Sequence, residues 1–170
     1  MPDPTSLRII HYPDSRLRAR SAPVDRFNAE LRDLAARMLM LMRESKGVGL
    51  AAPQIGVLLR LFVMNPTGQP SDDRVLVNPV IDEMEGSAVA TEGCLSIPGV
   101  SVQIRRPVAC RIVAQNLAGE PMELRGRDLV ARIWQHETDH LNGVLILDRM
   151  GPSDRVATRK VLRALEDPVR

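Results

Sequence analysis

The sequence predicts an α+β domain, with mixed or antiparallel β-sheets in the middle of the chain and helices before and after them. Three observations predict it. Apolar residues recur at helical period near the start, after residue 128 and near the end. Between the first two stripes lie short β-branched runs separated by turn residues. The chain has 170 residues, 44% hydrophobic and 26% charged, which suits one globular domain over residues 1–170 with a core of its own.

The first helix is predicted from Ala29 to Lys46, with Asn28 as N-cap and Gly47 as the C′ residue. Phe27, Leu31, Leu34, Ala35, Met38 and Met42 fall on one stripe, the pattern of a helix packed on a core. Strands are expected at Arg60 to Met64 and Arg74 to Ile81. Gly99 to Ile104 alternates Val100, Val102 and Ile104 with polar partners, and Val108 to Ala114 and Pro121 to Arg125 continue the β pattern. Asn116 to Glu120, with Gly119, reads as a hairpin turn. A second helix should follow an Asp128 N-cap and end near Gly143. Leu129, Ile133, His136 and His140 share its core side. A third helix should follow Ser153, with Ala157, Val161, Ala164 and Leu165 as its stripe and Pro168 beyond its end. No internal repeat, low-complexity segment or linker interrupts this order.

Composition narrows the function. The net charge of +2 is too small to argue for nucleic acid, and nearly all the positive charge is Arg, a compositional bias without functional content. Aromatics make up 2% of residues, so the core is aliphatic and Met-rich and offers no base-stacking platform. Cys94 and Cys110 make no disulfide framework and fit a reducing, cytoplasmic compartment. The first eight residues lack the apolar core of a signal peptide, and no apolar run approaches membrane-spanning length.

The chemistry is concentrated in Gln135-His136-Glu137-Thr138-Asp139-His140. Only three histidines occur in the chain, and two stand here at i and i+4, on one face of a helix. Two imidazoles so placed can grip one metal ion, with the intervening Glu beside its bound water. Alone, this spacing also suits a plain helix face. Cys94, in Glu92-Gly93-Cys94-Leu95-Ser96, is the leading third ligand, because a thiolate suits a borderline metal beside imidazoles. Glu166 is a distant second. Cys110 lies in an apolar alternating strand and reads as a buried structural thiol; His11, before a turn-like run, reads as a surface or packing residue. Gly47-Val48-Gly49-Leu50-Ala51-Ala52-Pro53-Gln54 lacks the strand before it and the Lys-Ser/Thr after it that a phosphate loop needs. It reads as a substrate-lining turn that delivers the Gln54 amide.

These three segments, in this order, resemble the signature motifs of the peptide deformylase family. Arg8 to Asp14 with Leu17-Arg18, Asn78-Pro79 and Arg106-Pro107 extend the resemblance from about Leu7 to Arg149. It implies mixed or antiparallel sheets packed around a central HExxH helix that binds metal, with an N-terminal and a C-terminal helix. It implies a bacterial-type, metal-dependent hydrolase that removes the formyl group from the N-terminal methionine of new proteins and releases formate. Cys94, His136 and His140 would hold one metal ion, Fe(II) first, with Zn, Ni or Co as alternatives. Glu137 would act as general base and then acid, with the Gln54 amide and the Leu95 backbone N–H at the oxyanion. Val48, Gly49, Leu129 and Ile133 would line the methionine pocket. Glu92, held by Arg106, would fix the Cys94 loop. The partners expected are formyl-methionyl nascent peptides. Arg155, Arg159, Lys160 and Arg163 on the C-terminal helix read as a solvated face, and the resemblance adds docking on the ribosome; neither direct nucleic-acid readout nor a membrane is expected. Two alternatives stand beside this reading: a metallopeptidase with Glu166 as third ligand, and a closed structural metal site completed by His11 or Cys110.

Overall fold

Asn28 caps the first helix as expected: its side chain accepts a hydrogen bond from the Leu31 N–H at 3.1 Å, and α1 runs Ala29–Glu44. The computed structural model describes residues 3–167. The predicted end of α1 is corrected. The left-handed residue is Lys46, with φ 55°, and Gly47 follows it. Lys46 N–H bonds the Arg43 carbonyl and Gly47 N–H the Met42 carbonyl, the paired bonds of a Schellman ending.

Among the described residues seven strands follow: β1 (Gly49–Ala51), β2 (Leu61–Met64), β3 (Arg74–Glu85), β4 (Ala88–Cys94), β5 (Ile97–Arg106), β6 (Ala109–Gln115) and β7 (Pro121–Arg127). The sequence reading lacked β1 and β4 and drew β3 and β5 too short. Five strands pair antiparallel in the order β1-β2-β3-β6-β7, and β4 and β5 form a separate two-stranded sheet. The β6–β7 hairpin turns at Gly119 as predicted, with φ 81°.

The helix α2 (Asp128–Leu141) lies on the five-stranded sheet. Asp128 is its first residue rather than a side-chain cap, because its backbone has φ 52° and its N–H bonds the Val108 carbonyl across the sheet end. At the other end Gly143 takes the left-handed conformation, φ 74°, and a Cβ there would meet the Arg18 carbonyl oxygen at 2.4 Å. The short α3 (Ile146–Arg149) was not anticipated. The last helix, α4, spans Pro152–Glu166. Its buried side is Thr158 with Val161, Leu162 and Leu165, whereas Ala157 and Ala164 are exposed, so the predicted stripe was rotated. Pro168 lies outside the described residues.

Strand β2 explains the layering. All four of its residues are buried because both faces of the sheet are covered. Leu61 and Val63 face the core of α1, with Leu31, Leu34 and Met38. Phe62 and Met64 face the core of α2, with Ile133, Trp134 and Leu141. A third core packs Val100, Val102 and Ile104 of β5 against α3, α4 and Leu17. The fold is therefore the predicted α+β class, with α2 at its centre. Among the described residues no helix is long and apolar enough to cross a membrane.

Candidate active site

Helix α2 carries His136, Glu137 and His140, and β4 ends at Cys94 beside them, where a register shift between Gly93 and Cys94 breaks the pairing with β5. Cys94 Sγ lies 3.4 Å from His140 Nε2, which lies 3.2 Å from His136 Nε2. The three donor atoms all fall within 4.8 Å of one another. Ligands of one tetrahedral ion at usual bond lengths would be separated by roughly 3.3 Å (N to N) and 3.6 Å (N to S). The spacing and the donor set both fit a single divalent transition metal.

Behind these residues is a buried network of charges. Glu92 accepts from Arg106 Nε at 2.7 Å and Nη2 at 2.9 Å, from Arg132 at 2.6 Å, and faces His136 Nδ1 at 2.9 Å. Arg106 also donates to Asp139 at 2.9 Å, which Arg149 pairs from the far side. The expected Glu92–Arg106 pair is thus present and is part of a larger set. Burial opposes charge on Glu92, but these donors overcome it and hold the carboxyl far below the usual range. Burial also opposes charge on His136, yet hydrogen bonds to Cys94 and Glu92 and the Glu137 charge raise its pKa well above the ordinary value. His140 goes the other way: burial, then the His136 and Arg106 charges, hold it well below. The anionic side of the site faces His136.

Glu137 is treated oppositely. It is 4% exposed, and its Oε2 has no hydrogen-bond partner among the described residues. Burial pushes its pKa up to about 7. Gly49 gives it room, since a Cβ at that position would stand 2.4 Å from Glu137 Oε1. Gln54, 1% exposed, lies in a single 3₁₀ turn after β1. The Ala51 N–H holds its Oε1 at 2.9 Å, which aims Nε2 at Cys94 Sγ, 3.6 Å away, and at Ser96 Oγ, 3.2 Å away.

A cleft of about 370 Å³ opens onto this group. Val48, Gly49, Gln54, Cys94, Leu95, Leu129, Ile133, His136 and Glu137 all line it. Val48 and Leu129 stand half exposed at its rim, Ile133 is inside, and His140 is buried beneath. The structure does not bring the rival ligands here. Glu166 is exposed on α4 and accepts from the Tyr12 hydroxyl, His11 is exposed, and Cys110 is buried in the core under α2. Sequence reasoning missed Asp139 and Arg149 and gave Arg132 no role in the network; their partners come from other elements, and no local pattern announces them.

The chain matches the family model described as Polypeptide deformylase over residues 6–156. It is 42% identical to peptide deformylase 1B, chloroplastic/mitochondrial, of Arabidopsis thaliana, covering 95% of this chain but 60% of that relative's length. It is 44% identical to a peptide deformylase of Rhodopirellula baltica, covering 85% of this chain and 73% of the relative. Among solved structures, a plant peptide deformylase superposes with a TM-score of 0.93 at 41% identity, covering 96% of this chain and 91% of the other. The Thermotoga maritima enzyme gives 0.82 at 42%, covering 86% and 98%. A match that runs through all three motif segments, on a backbone that follows solved members this closely, settles the relationship: the chain belongs to the polypeptide deformylase family.

Proposed function

We propose that this protein is a single-domain hydrolase that removes the N-formyl group from formyl-methionyl peptides, releasing formate and a free N-terminal methionine. The observation that carries the reading is Glu137: a buried carboxylate with an unpartnered oxygen, beside two imidazoles and a thiol that converge on one point, at the bottom of an apolar-lined cleft. A structural metal site needs no such acid.

Cys94, His136 and His140 would hold the metal. Fe(II) is the ion proposed first, with Zn, Ni or Co able to fill the same donor set. When bound, the ion supplies Lewis acidity that makes water a nucleophile near neutral pH. Glu137 takes a proton from the attacking water. The water oxygen bonds to the formyl carbon, the C–N bond breaks, and Glu137 delivers the proton to the departing amine. Gln54 Nε2 and the Leu95 backbone N–H donate to the carbonyl oxygen as it gains charge. Gln54 is suited to this because its other amide atom is already fixed by Ala51. Val48, Gly49, Leu129 and Ile133 receive the methionine side chain. Glu92, anchored by Arg106 and Arg132, positions His136.

The substrates are nascent chains, in the cytoplasm. The exposed Arg155, Arg159, Lys160 and Arg163 of α4 would supply a contact to the ribosome, tested by co-sedimentation of a variant with all four changed to Glu. The main test is formate release from formyl-Met-Ala-Ser by protein purified without oxygen, against acetyl-Met-Ala-Ser. Formate from the first and no hydrolysis of the second is expected. Cleavage of internal peptide bonds without formate release would instead support the metallopeptidase.

A further inference from the structure

A second face of helix α2, continued by its C-cap Asn142, borders another cavity. Gln135, Thr138, Asp139 and Asn142, spaced i, i+3, i+4 and i+7, border a separate pocket of about 460 Å³ on the side away from the cleft. Among the described residues none lines both cavities, and five arginines line this one, Arg20, Arg60, Arg105, Arg106 and Arg149, against a single carboxylate, Asp139.

Two of the five are neutralised. Arg106 pairs with Glu92 and Asp139, and Arg149 with Asp139. The other three form no ion pair with a carboxylate among the described residues. Arg60 donates to two neutral acceptors, the Leu141 carbonyl at 3.2 Å and Asn142 Oδ1 at 3.0 Å. Arg105 donates to Ser87 Oγ at 3.2 Å. Arg20 stands close enough to Arg60 that its charge, after burial, lowers the Arg60 pKa. Water screens exposed guanidinium groups but leaves these like charges together. An oxyanion between them relieves that repulsion, since guanidinium forks match its geometry.

We propose that this pocket binds a small phosphate-type oxyanion, held by Arg20, Arg60 and Arg105. The proposal is independent of the reaction in the cleft.

The test is calorimetric titration of inorganic phosphate into the metal-loaded protein at constant ionic strength, with chloride as the balancing anion. One saturable site is expected. Arg20→Ser should weaken it by at least about tenfold, the loss of one charge-assisted hydrogen bond, and leave formate release without phosphate unchanged. Arg60 also holds the end of α2, so Arg20→Ser is the variant that decides if Arg60→Gln fails to fold. Failure to saturate would overturn the proposal. So would binding that Arg20→Ser leaves intact, or phosphate that competes with formyl-Met-Ala-Ser, which would assign the anion to the catalytic centre. Binding of long RNA without binding of phosphate or pyrophosphate would mean a charged surface rather than a pocket, and would overturn it equally.

Discussion

Glu92 and Glu137 are both buried carboxylates beside the same histidine, and their surroundings are opposite. Glu92, behind His136, is fully engaged by Arg106, Arg132 and the imidazole. Its charge is permanent, held far below the usual carboxylate range despite burial. Glu137, at the cleft, has an oxygen with no donor among the described residues, and burial pushes its pKa up to about 7. Burial alone does not decide the charge of a carboxylate; the supply of donors does. One acid is therefore a fixed anion suited to orient His136, and the other, in the proposed reaction, would take and give a proton. They are set apart by the two sides of His136: the β4–β5 sheet and Arg106 behind it, Gly49 and the open cleft before it.

Substitutions can break this contrast. Glu137→Gln should lower formate release by about 10²–10⁴-fold, the usual worth of a general acid–base, with the urea unfolding midpoint unchanged or raised. A matching fall in stability would mean that Glu137 is structural. Glu92→Ala should leave Arg106 buried with only Asp139, at a cost of about 3–5 kcal/mol in urea unfolding. Arg132→Met removes one donor of the set and should cost about 1–3 kcal/mol, because Arg106 still holds Glu92. An effect as large as that of Glu92→Ala would show that the network fails as a unit. Glu166→Gln is the outside comparison. It loosens only the contact with Tyr12, and should cost at most about 1 kcal/mol and leave bound metal and rate as they are. Loss of metal there would revive the metallopeptidase ligand set.

The chemistry was legible where it depends on residue type at fixed spacing. His136 and His140 must share a helix face, and the 3.6-residue period guarantees it from the sequence. The segments around Gln54 and Cys94 were legible as motifs, but the strands β1 and β4 that lead into them were not. Gly49-Leu50-Ala51 has no β-branched residue and became a strand because β2 offers it a partner. Ala88 to Cys94 is held as a strand by β5, residue against residue from Ala88 opposite Arg106 to Gly93 opposite Ser101. Both depend on non-local pairing, which a local reading cannot weigh. Lys46 shows the same limit at a helix end: the left-handed position fell one residue before the glycine, and Gly47 serves contact instead, with Leu95 too close for a Cβ. Asp139 was quoted within its motif without a role, because Arg106 and Arg149 reach it from β5 and α3.

The most direct test of the two-carboxylate account is metal content, measured by mass spectrometry on the Glu137→Gln and Glu92→Ala proteins used for the formate assay. The account predicts one equivalent of metal on Glu137→Gln with activity gone, and metal affinity weakened by about 10–100-fold on Glu92→Ala. Metal lost from Glu137→Gln, or held as tightly as in the parent by Glu92→Ala, would contradict the division of labour between them.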